Sequence, residues 1–459
     1  MLDTIEPHHV KVFLDLMDGI LHGTTKEAVL PYLDEDFPKD RLDEYLKSTK
    51  SISGLPGALE FTVNTVQAGT LDSIRLFIVL SNILNSRILS FPLTGSVTSI
   101  SDMTPEQREQ LLKEWSNLPI SIRRKLYNVI KSISLLVFGA CHPDLHEKAI
   151  GFYGKELREK LYEAQEVDTF VYDMLAIPAA TQNELHLDVD ALIVGLGCGA
   201  GVVAHTLSTQ GYKCVVIEKG DYYPKLDMNF NEMEGLTKLY QSNAVLTNTS
   251  QLMTVLAGST FGGGSAVNWL ASLKTPFKVR EEWHKDFGLE WAENEYYDDC
   301  QEYVYNKIGA TTDGLKHSST NQKILDGSRK LGYPAKEVPQ NNGGHENHSC
   351  GFCYLGCKFG VKQGSVECWF KHSPGTEFMC QTRVAKILHT KGKAYGALCT
   401  RPDGTEFIIK GPKKFVMCGG SSNTPIVLQH SGFKNKNIGS NLKLHPVSVL
   451  HADFGKENR

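Results

Sequence analysis

Three glycine-rich stretches hold the residue types on which chemistry could rest. The first, Gly195-Leu196-Gly197-Cys198-Gly199-Ala200, stands between an apolar run, Ala191 to Val194, and a stretch of helical spacing, Val202 to Gln210. A second apolar run follows, Cys214 to Ile217, so the whole reads as strand, turn, helix and strand. In such a unit Gly195 permits the tight turn out of the strand, Gly197 lets the backbone approach a pyrophosphate, and Ala200 is small enough for helix and strand to pack closely. The unpaired N–H groups at the helix start would face the phosphates. Glu218, 23 residues beyond Gly195 at the end of the second strand, can accept hydrogen bonds from a ribose hydroxyl pair and would repel a 2′-phosphate. An adenine dinucleotide is the expected ligand. This element alone does not separate FAD from NAD, and a purely structural glycine turn is the bland alternative.

The second stretch is Gly258-Ser-Thr-Phe-Gly262-Gly263-Gly264-Ser-Ala-Val-Asn268-Trp269. Successive glycines cost folding entropy, so they belong where backbone must come close to something or take positive φ, as it would beneath a flat cofactor ring. A flexible loop is the bland alternative, although such loops are rarely followed at once by residues like Ala266, Val267 and Trp269. The third stretch, Gly419 and Gly420 followed by Ser421 to Pro425, lies at the end of an apolar strand, Phe415 to Cys418, and before a helix, Ile426 to His430. It too can admit a cofactor.

Cys350, Cys353, Cys357 and Cys368 form a cysteine-rich run whose C-x2-C-x3-C spacing could hold zinc or an iron–sulfur cluster, with His345 and His348 as further ligands. A redox pair or simple packing accounts for it equally. A structural zinc site more often uses two separated pairs, and only one is present, so Cys350, Cys353 and Cys357 are the weaker reading as a metal site.

The elements that must position these residues are legible in part. Residues 1–186 are expected to be mostly helical, with Val12, Phe13, Leu16 and Ile20 on one face of a first helix. Helix starts are expected at Thr24 with Glu27, and at Thr104 with Pro105 and Gln107. Ile74 to Leu89 is apolar on most sides and is read as a buried helix in preference to one lying on a bilayer surface. WHKDFGLEW and EYYDDCQEYVY read as helices and turns, and Ser319 to Leu331 as a helix ended by Gly332. Strands are expected at Arg383 to His389, Ala394 to Thr400 and Glu406 to Ile409, with Pro402-Asp403-Gly404 as a hairpin turn.

Composition sets the outer bounds. With 459 residues, 41% hydrophobic and 22% charged, the chain can bury two or three full cores. A net charge of −4 offers no footprint for nucleic acid. Eleven scattered cysteines and an N-terminus without a basic-then-apolar pattern point to reduced thiols and an intracellular compartment. Ile74 to Phe91 is interrupted by Asn82, Asn85 and Arg87, and Val129 to Cys141 is too short, so no simple membrane span is expected.

With these motifs in order, the chain resembles the glucose–methanol–choline (GMC) family of FAD oxidoreductases, most closely its long-chain fatty alcohol oxidase branch. VGLGCGAGVVA is similar to the family's ADP-binding turn and FGGGSAVNW to the stretch over the flavin. TRVAKIL with KAYGALC is similar to the segment that returns to the adenine side, GGSSNTPIVLQHSG to the second signature, and IGSNLKLHP to the GxNLxxH segment. The N-terminal helical region and CGFCYLGCKFGVKQGS tilt the match toward fatty alcohol oxidases. Phe433-Lys434 departs from the second signature, where an aliphatic residue and glycine are usual.

The resemblance implies an α/β fold, α+β overall. A Rossmann-like FAD-binding domain would occupy 187–300 and 381–459, with an N-terminal helical region over 1–186 and a partial substrate or cap region over 301–380. It implies cofactor contacts from Gly195, Gly197, Gly199, Ala200, Glu218, Gly262, Gly263, Gly264, Asn268, Val384 and Gly419. The FAD would be noncovalent, since Val267 stands where some relatives carry a tethering histidine. The reaction implied is oxidation of a long-chain fatty alcohol to the aldehyde, with O2 reduced to hydrogen peroxide and a histidine as base. A same-family dehydrogenase using another acceptor, a noncatalytic FAD-binding fragment and a cysteine-built metal module are the rivals. The family's catalytic histidine falls beyond GxNLxxH and past Arg459, so the chain is expected to be C-terminally truncated and catalytically incompetent. His445 is the candidate base inside it, although it matches the structural histidine of NLxxH. Membrane association, at peroxisome or endoplasmic reticulum, is a further implication.

Overall fold

A computed structural model describes residues 5–21, 23–67, 71–119, 122–141, 143–152, 168–244, 246–248, 253–345 and 351–447. The strands, in chain order, are β1 (Asp173–Met174), β2 (Glu184–His186), β3 (Ala191–Val194), β4 (Cys214–Ile217), β5 (Ala310–Thr311), β6 (Gln340–Asn341), β7 (Thr376–Met379), β8 (Arg383–Thr390), β9 (Lys393–Thr400), β10 (Glu406–Lys410) and β11 (Lys414–Met417). They form a five-stranded sheet in the order β1-β7-β4-β3-β11, a four-stranded sheet β2-β10-β9-β8, and the short pair β5-β6. Every pairing in the five-stranded sheet is parallel. The fold is mixed α/β.

Two compact units result. One comprises Phe170–Tyr222, Phe261–Ser265 and Gly364–Arg459, and the other comprises Met1–Thr169, Tyr223–Thr260 and Ala266–Gln363.

Both larger sheets lie in the first of these units. The four residues of β3 and of β4 are all buried, as a parallel sheet covered on both faces requires, and this is why they read as unbroken apolar runs. Alternation then sorts their side chains. Leu192, Val194, Val215 and Ile217 join Ile387, Ala397, Cys399, Phe407 and Ile409 of the second sheet, while Ala191, Ile193, Cys214 and Val216 pack with Ala200, Ala204, Phe261, Phe370 and Phe378. The helix after β3 spans Cys198–Thr209, four residues earlier than its apolar spacing suggests, because the glycines at its start already take the helical turn. Ala200, Ala204 and Ser208, four apart and buried, let it lie close to the sheet. β8, β9 and β10 fall within a residue or so of expectation, and Gly404 (φ +83°) turns between the last two.

The expectation of a helical 1–186 is corrected at its end. β1 pairs with β7 and β2 with β10, both in parallel. Strands of two and three residues are too short to show a period of two, so nothing local announces them.

In the other unit, helix Pro7–Met17 buries Val10, Val12, Phe13, Leu14, Leu16 and Met17, more than the single face expected; Ile20 lies beyond its end. It packs among helices Ala58–Gln67, Leu71–Asn85 and Ile122–Cys141, and Phe13 stacks on Phe77 at 4.5 Å between ring centroids. Helix Leu71–Asn85 buries one face only: Ile78, Ser81 and Leu84 point inward, whereas Leu76 is 59% exposed. Ser81 fixes it by donating to the His9 carbonyl at 2.9 Å. The capping box of helix Pro105–Asn117 forms as expected on Thr104 and Gln107. At the earlier start the cap is Thr25, not Thr24, since Thr25 accepts from the Ala28 N–H. Helices Phe277–Phe287, Glu295–Lys307 and Ser319–Lys330 follow, the first two joined by buried Arg280, which donates to Asp298 at 2.7 Å. Among the described residues, no helix is long and apolar enough to cross a membrane.

Candidate cofactor site

The parallel pairing of β3 with β11 brings the first and third glycine stretches together. Gly195 follows β3 with φ +101°, and a Cβ there would lie 2.4 Å from the Cys418 carbonyl oxygen, so only glycine can make this turn. Gly197 caps the helix Cys198–Thr209 without any side-chain hydrogen bond, which leaves the first amides of that helix available to a phosphate. Added Cβ atoms at Gly197, Gly199 and Gly264 would meet nothing within 4 Å, so a ligand has room to approach the backbone there.

The second glycine stretch docks on the first, backbone to backbone. Gly262 N–H donates to the Leu196 carbonyl at 3.0 Å, and a Cβ on Gly263 (φ +52°) would stand 2.9 Å from the Gly197 Cα. Phe261, immediately before, anchors the stretch to the sheet by ring contacts with Tyr172 (4.7 Å), Tyr222 (4.8 Å) and Phe378 (5.2 Å). Such pairs add about 0.5–1.5 kcal/mol each beyond the area they bury. Ser265 closes the loop from the other side, donating to the Gly262 carbonyl at 2.8 Å and meeting the Ser365 hydroxyl at 2.8 Å.

Glu218 lies at the rim of this cradle and is buried. Its two carboxylate oxygens accept the Leu196 N–H at 3.0 Å and the Gly220 N–H at 2.9 Å. The acid expected at the ribose therefore also braces the glycine turn. Burial pushes its carboxyl above the ordinary glutamate range, while the Gly220 and Leu196 amides and the Lys219 charge pull the other way. The chain returns beside it: Gln381 N–H donates to the Gly220 carbonyl and Thr382 N–H to the Glu218 carbonyl, both at 2.9 Å. Val384 is thereby held near this end, buried, in a part of β8 where the register with β9 shifts.

Gly195, Gly197, Gly199, Ala200, Glu218, Gly262, Gly263, Gly264, Val384 and Gly419 thus belong to one unit. Ala200 is buried against the sheet and serves packing. The closest helix contact falls one residue later, at Gly201, where a Cβ would stand 3.0 Å from that of Ser365. Asn268 belongs to the other unit, where its carbonyl accepts from Lys362 at 3.1 Å. His445 is exposed and outside any helix or strand, so no geometry supports it as a base.

Cys350 and His348 fall outside the described residues. Cys353 is buried, and Cys357 accepts the Lys362 N–H through sulfur at 3.4 Å. Among the described residues, no three histidine, cysteine or acidic side chains gather as a metal site.

Sequence reading missed Gly201, Ser265, Ser365, Phe261 and Lys362. Phe261 adjoins the glycines and was within reach of a local argument. Ser265 and Ser365 meet across 100 residues, a pairing that nothing local signals.

The arrangement fits an adenine dinucleotide: an uncapped helix start with open glycines for the pyrophosphate, and a carboxylate at the second strand end for the ribose. Residues 236–447 match the family profile described as GMC oxidoreductase. A long-chain-alcohol oxidase of Arabidopsis thaliana is 31% identical over 409 residues, covering 77% of this chain and 55% of that one. A second from the same plant is 28% identical over 446 residues, covering 86% and 59%. The chain thus spans less than two thirds of the length of either relative. Among solved structures, pyridoxine 4-oxidase from Mesorbium loti is similar at 15% identity with a TM-score of 0.40, over 53% of this chain and 52% of that one.

Proposed function

We propose that the chain is a GMC oxidoreductase, the family whose description its residues 236–447 match, and that it binds FAD noncovalently in the glycine cradle as part of a long-chain-alcohol oxidase. The observation that carries this reading is the meeting of Gly195, Gly197, Gly262 and Gly263 beside the Glu218 carboxylate. When bound, FAD supplies the acceptor for the hydride leaving an alcohol carbon. The chain's own residues do the rest of what the cradle requires. The amides of Cys198 and Gly199 would face the pyrophosphate, and Glu218 would accept from the adenosine ribose. Phe261, Ser265 and Ser365 hold the glycine backbone still.

The substrate reading is a primary alcohol with a long alkyl chain, and dioxygen is the proposed electron acceptor, giving aldehyde and hydrogen peroxide. Both follow from the similarity to the long-chain-alcohol oxidases of Arabidopsis thaliana. Peripheral association with a peroxisomal or endoplasmic reticulum membrane belongs to the same proposal. Exposed Leu76, Ile88, Leu89 and Phe91 on or just after helix Leu71–Asn85 favour it.

The test has two stages. The purified chain is titrated with FAD by fluorescence, and failure to bind overturns the reading. The loaded protein is then mixed with dodecan-1-ol under nitrogen, where loss of the yellow colour, followed by peroxide formation on readmitting air, would support the oxidase reading. Bleaching by glucose or choline but not by dodecanol would overturn the substrate class. Bound flavin that no alcohol bleaches would favour the noncatalytic FAD-binding alternative.

A further inference from the structure

Lys362 is 4% exposed, yet its ammonium faces backbone oxygens: it donates to the carbonyls of Cys353 at 2.5 Å, Ala266 at 2.7 Å and Asn268 at 3.1 Å. Lysine is almost never buried this deeply unless its charge is compensated. Three carbonyl dipoles converging on one cation supply that compensation, and charge-assisted hydrogen bonds of this kind are about twice as strong as neutral ones.

The three carbonyls come from two places that sequence reading treated separately. Ala266 and Asn268 lie two and four residues after the triple glycine, and Cys353 lies in the cysteine-rich run. The lysine is itself anchored on both sides. Its own N–H donates to Cys357 Sγ at 3.4 Å, and the next residue, Gln363, exchanges hydrogen bonds with Asn341, N–H to carbonyl at 2.8 Å and Asn341 Nδ2 to the Gln363 carbonyl at 2.7 Å. Ala266 and Val267 are packed among Met228, Phe230, Leu239 and Tyr240, so the segment's side chains are held while its carbonyls are drawn to the ammonium.

We propose that Lys362 is a positioning residue for Ala266–Asn268, the segment that leaves the glycine cradle directly after Ser265, and that the cysteine-rich run holds this ammonium in place. Two backbone carbonyls on either side of Val267, drawn to a single cation, set the orientation of the intervening peptides and so of the backbone at Asn268. The proposal rests on the FAD reading only for its consequence, since the clamp exists in the unliganded chain.

The test is Lys362→Met in the purified chain, with Lys362→Arg as the conservative variant. Hydrogen–deuterium exchange is followed on peptides covering 264–270 and, as control, 190–197, and FAD affinity is titrated in parallel. Without FAD, exchange over 264–270 should accelerate at least tenfold in Lys362→Met while the control is unchanged, and FAD should bind at least tenfold more weakly. Lys362→Arg should recover part of both effects, because a guanidinium also donates to carbonyls. Unchanged exchange in a folded Lys362→Met overturns the clamp, and faster exchange with unaltered FAD affinity overturns the positioning role. If the wild-type chain takes up no FAD, the cofactor reading fails and the exchange experiment alone decides on the clamp. If Lys362→Met does not fold, the exchange and affinity of Lys362→Arg decide, and an unfolded Lys362→Arg overturns a local role.

Discussion

Glu218→Ala tests the site most directly, because that side chain has two tasks in the structure. It accepts the Leu196 and Gly220 amides at 3.0 and 2.9 Å, and the cofactor reading gives it the ribose as well. Removing it strands two N–H groups, at about 1–3 kcal/mol each if they stay dry. Relief of a buried carboxylate offsets part of that, so a net loss of roughly 1–4 kcal/mol in unliganded stability is expected from urea unfolding. For the ligand, loss of a charged hydrogen bond costs about 1.5–3 kcal/mol, or roughly a 10- to 150-fold weaker complex. Fluorescence titration with FAD and calorimetry with ADP, which carries the same ribose, should both show it. Unaltered affinity for both ligands would refute the ribose role even if stability fell.

The same residue carries a pH signature. Burial raises the Glu218 carboxyl, so the folded chain holds that proton more tightly than the unfolded chain does. Its contribution to stability is therefore full below the unfolded value and is lost as pH rises through the folded value. The stability of wild type minus that of Glu218→Gln should fall with rising pH from about pH 4 upward. A difference that stayed flat across this range would contradict the burial account.

Three further outcomes are expected. Gly195→Ala, which must place a Cβ 2.4 Å from the Cys418 oxygen at φ +101°, should cost about 2–5 kcal/mol in urea unfolding by combining backbone strain with overpacking. Thr104→Ala removes the side-chain cap of helix Pro105–Asn117 and should cost about 1 kcal/mol, leaving FAD affinity unaltered in the same titration. Acid precipitation of the FAD-loaded chain should release the yellow colour to the supernatant, since Val267 has no nucleophile; colour kept in the pellet would mean a covalent link.

Short-range residue order was enough to determine several parts of this protein. Ala191–Val194 and Cys214–Ile217 are strands as read, because four consecutive apolar residues between polar or glycine neighbours suit a short strand buried on both faces. The Thr104 box formed because its two hydrogen bonds span three residues and need no help from the rest of the chain. Where a neighbouring residue could serve equally, local reading slipped by one, as at Thr25. The requirement for glycine at 195 was legible too, although its immediate cause, the Cys418 carbonyl, arrives from 223 residues away with β11.

Tertiary structure alone decided the pairings between distant segments. β1 and β2 are strands only because β7 and β10 offer them free edges. Ser265 finds Ser365, Glu218 turns back onto Leu196, and Lys362 collects carbonyls from Ala266, Asn268 and Cys353. A serine, a glutamate and a lysine each look like surface residues in a sequence, since nothing within a helical turn shows that their polar atoms will be taken out of water. Their partners are mostly backbone N–H and C=O groups, which every residue carries and no sequence pattern marks. The residue types predicted a cradle for a dinucleotide, and the folded backbone alone determined which polar groups would hold it rigid.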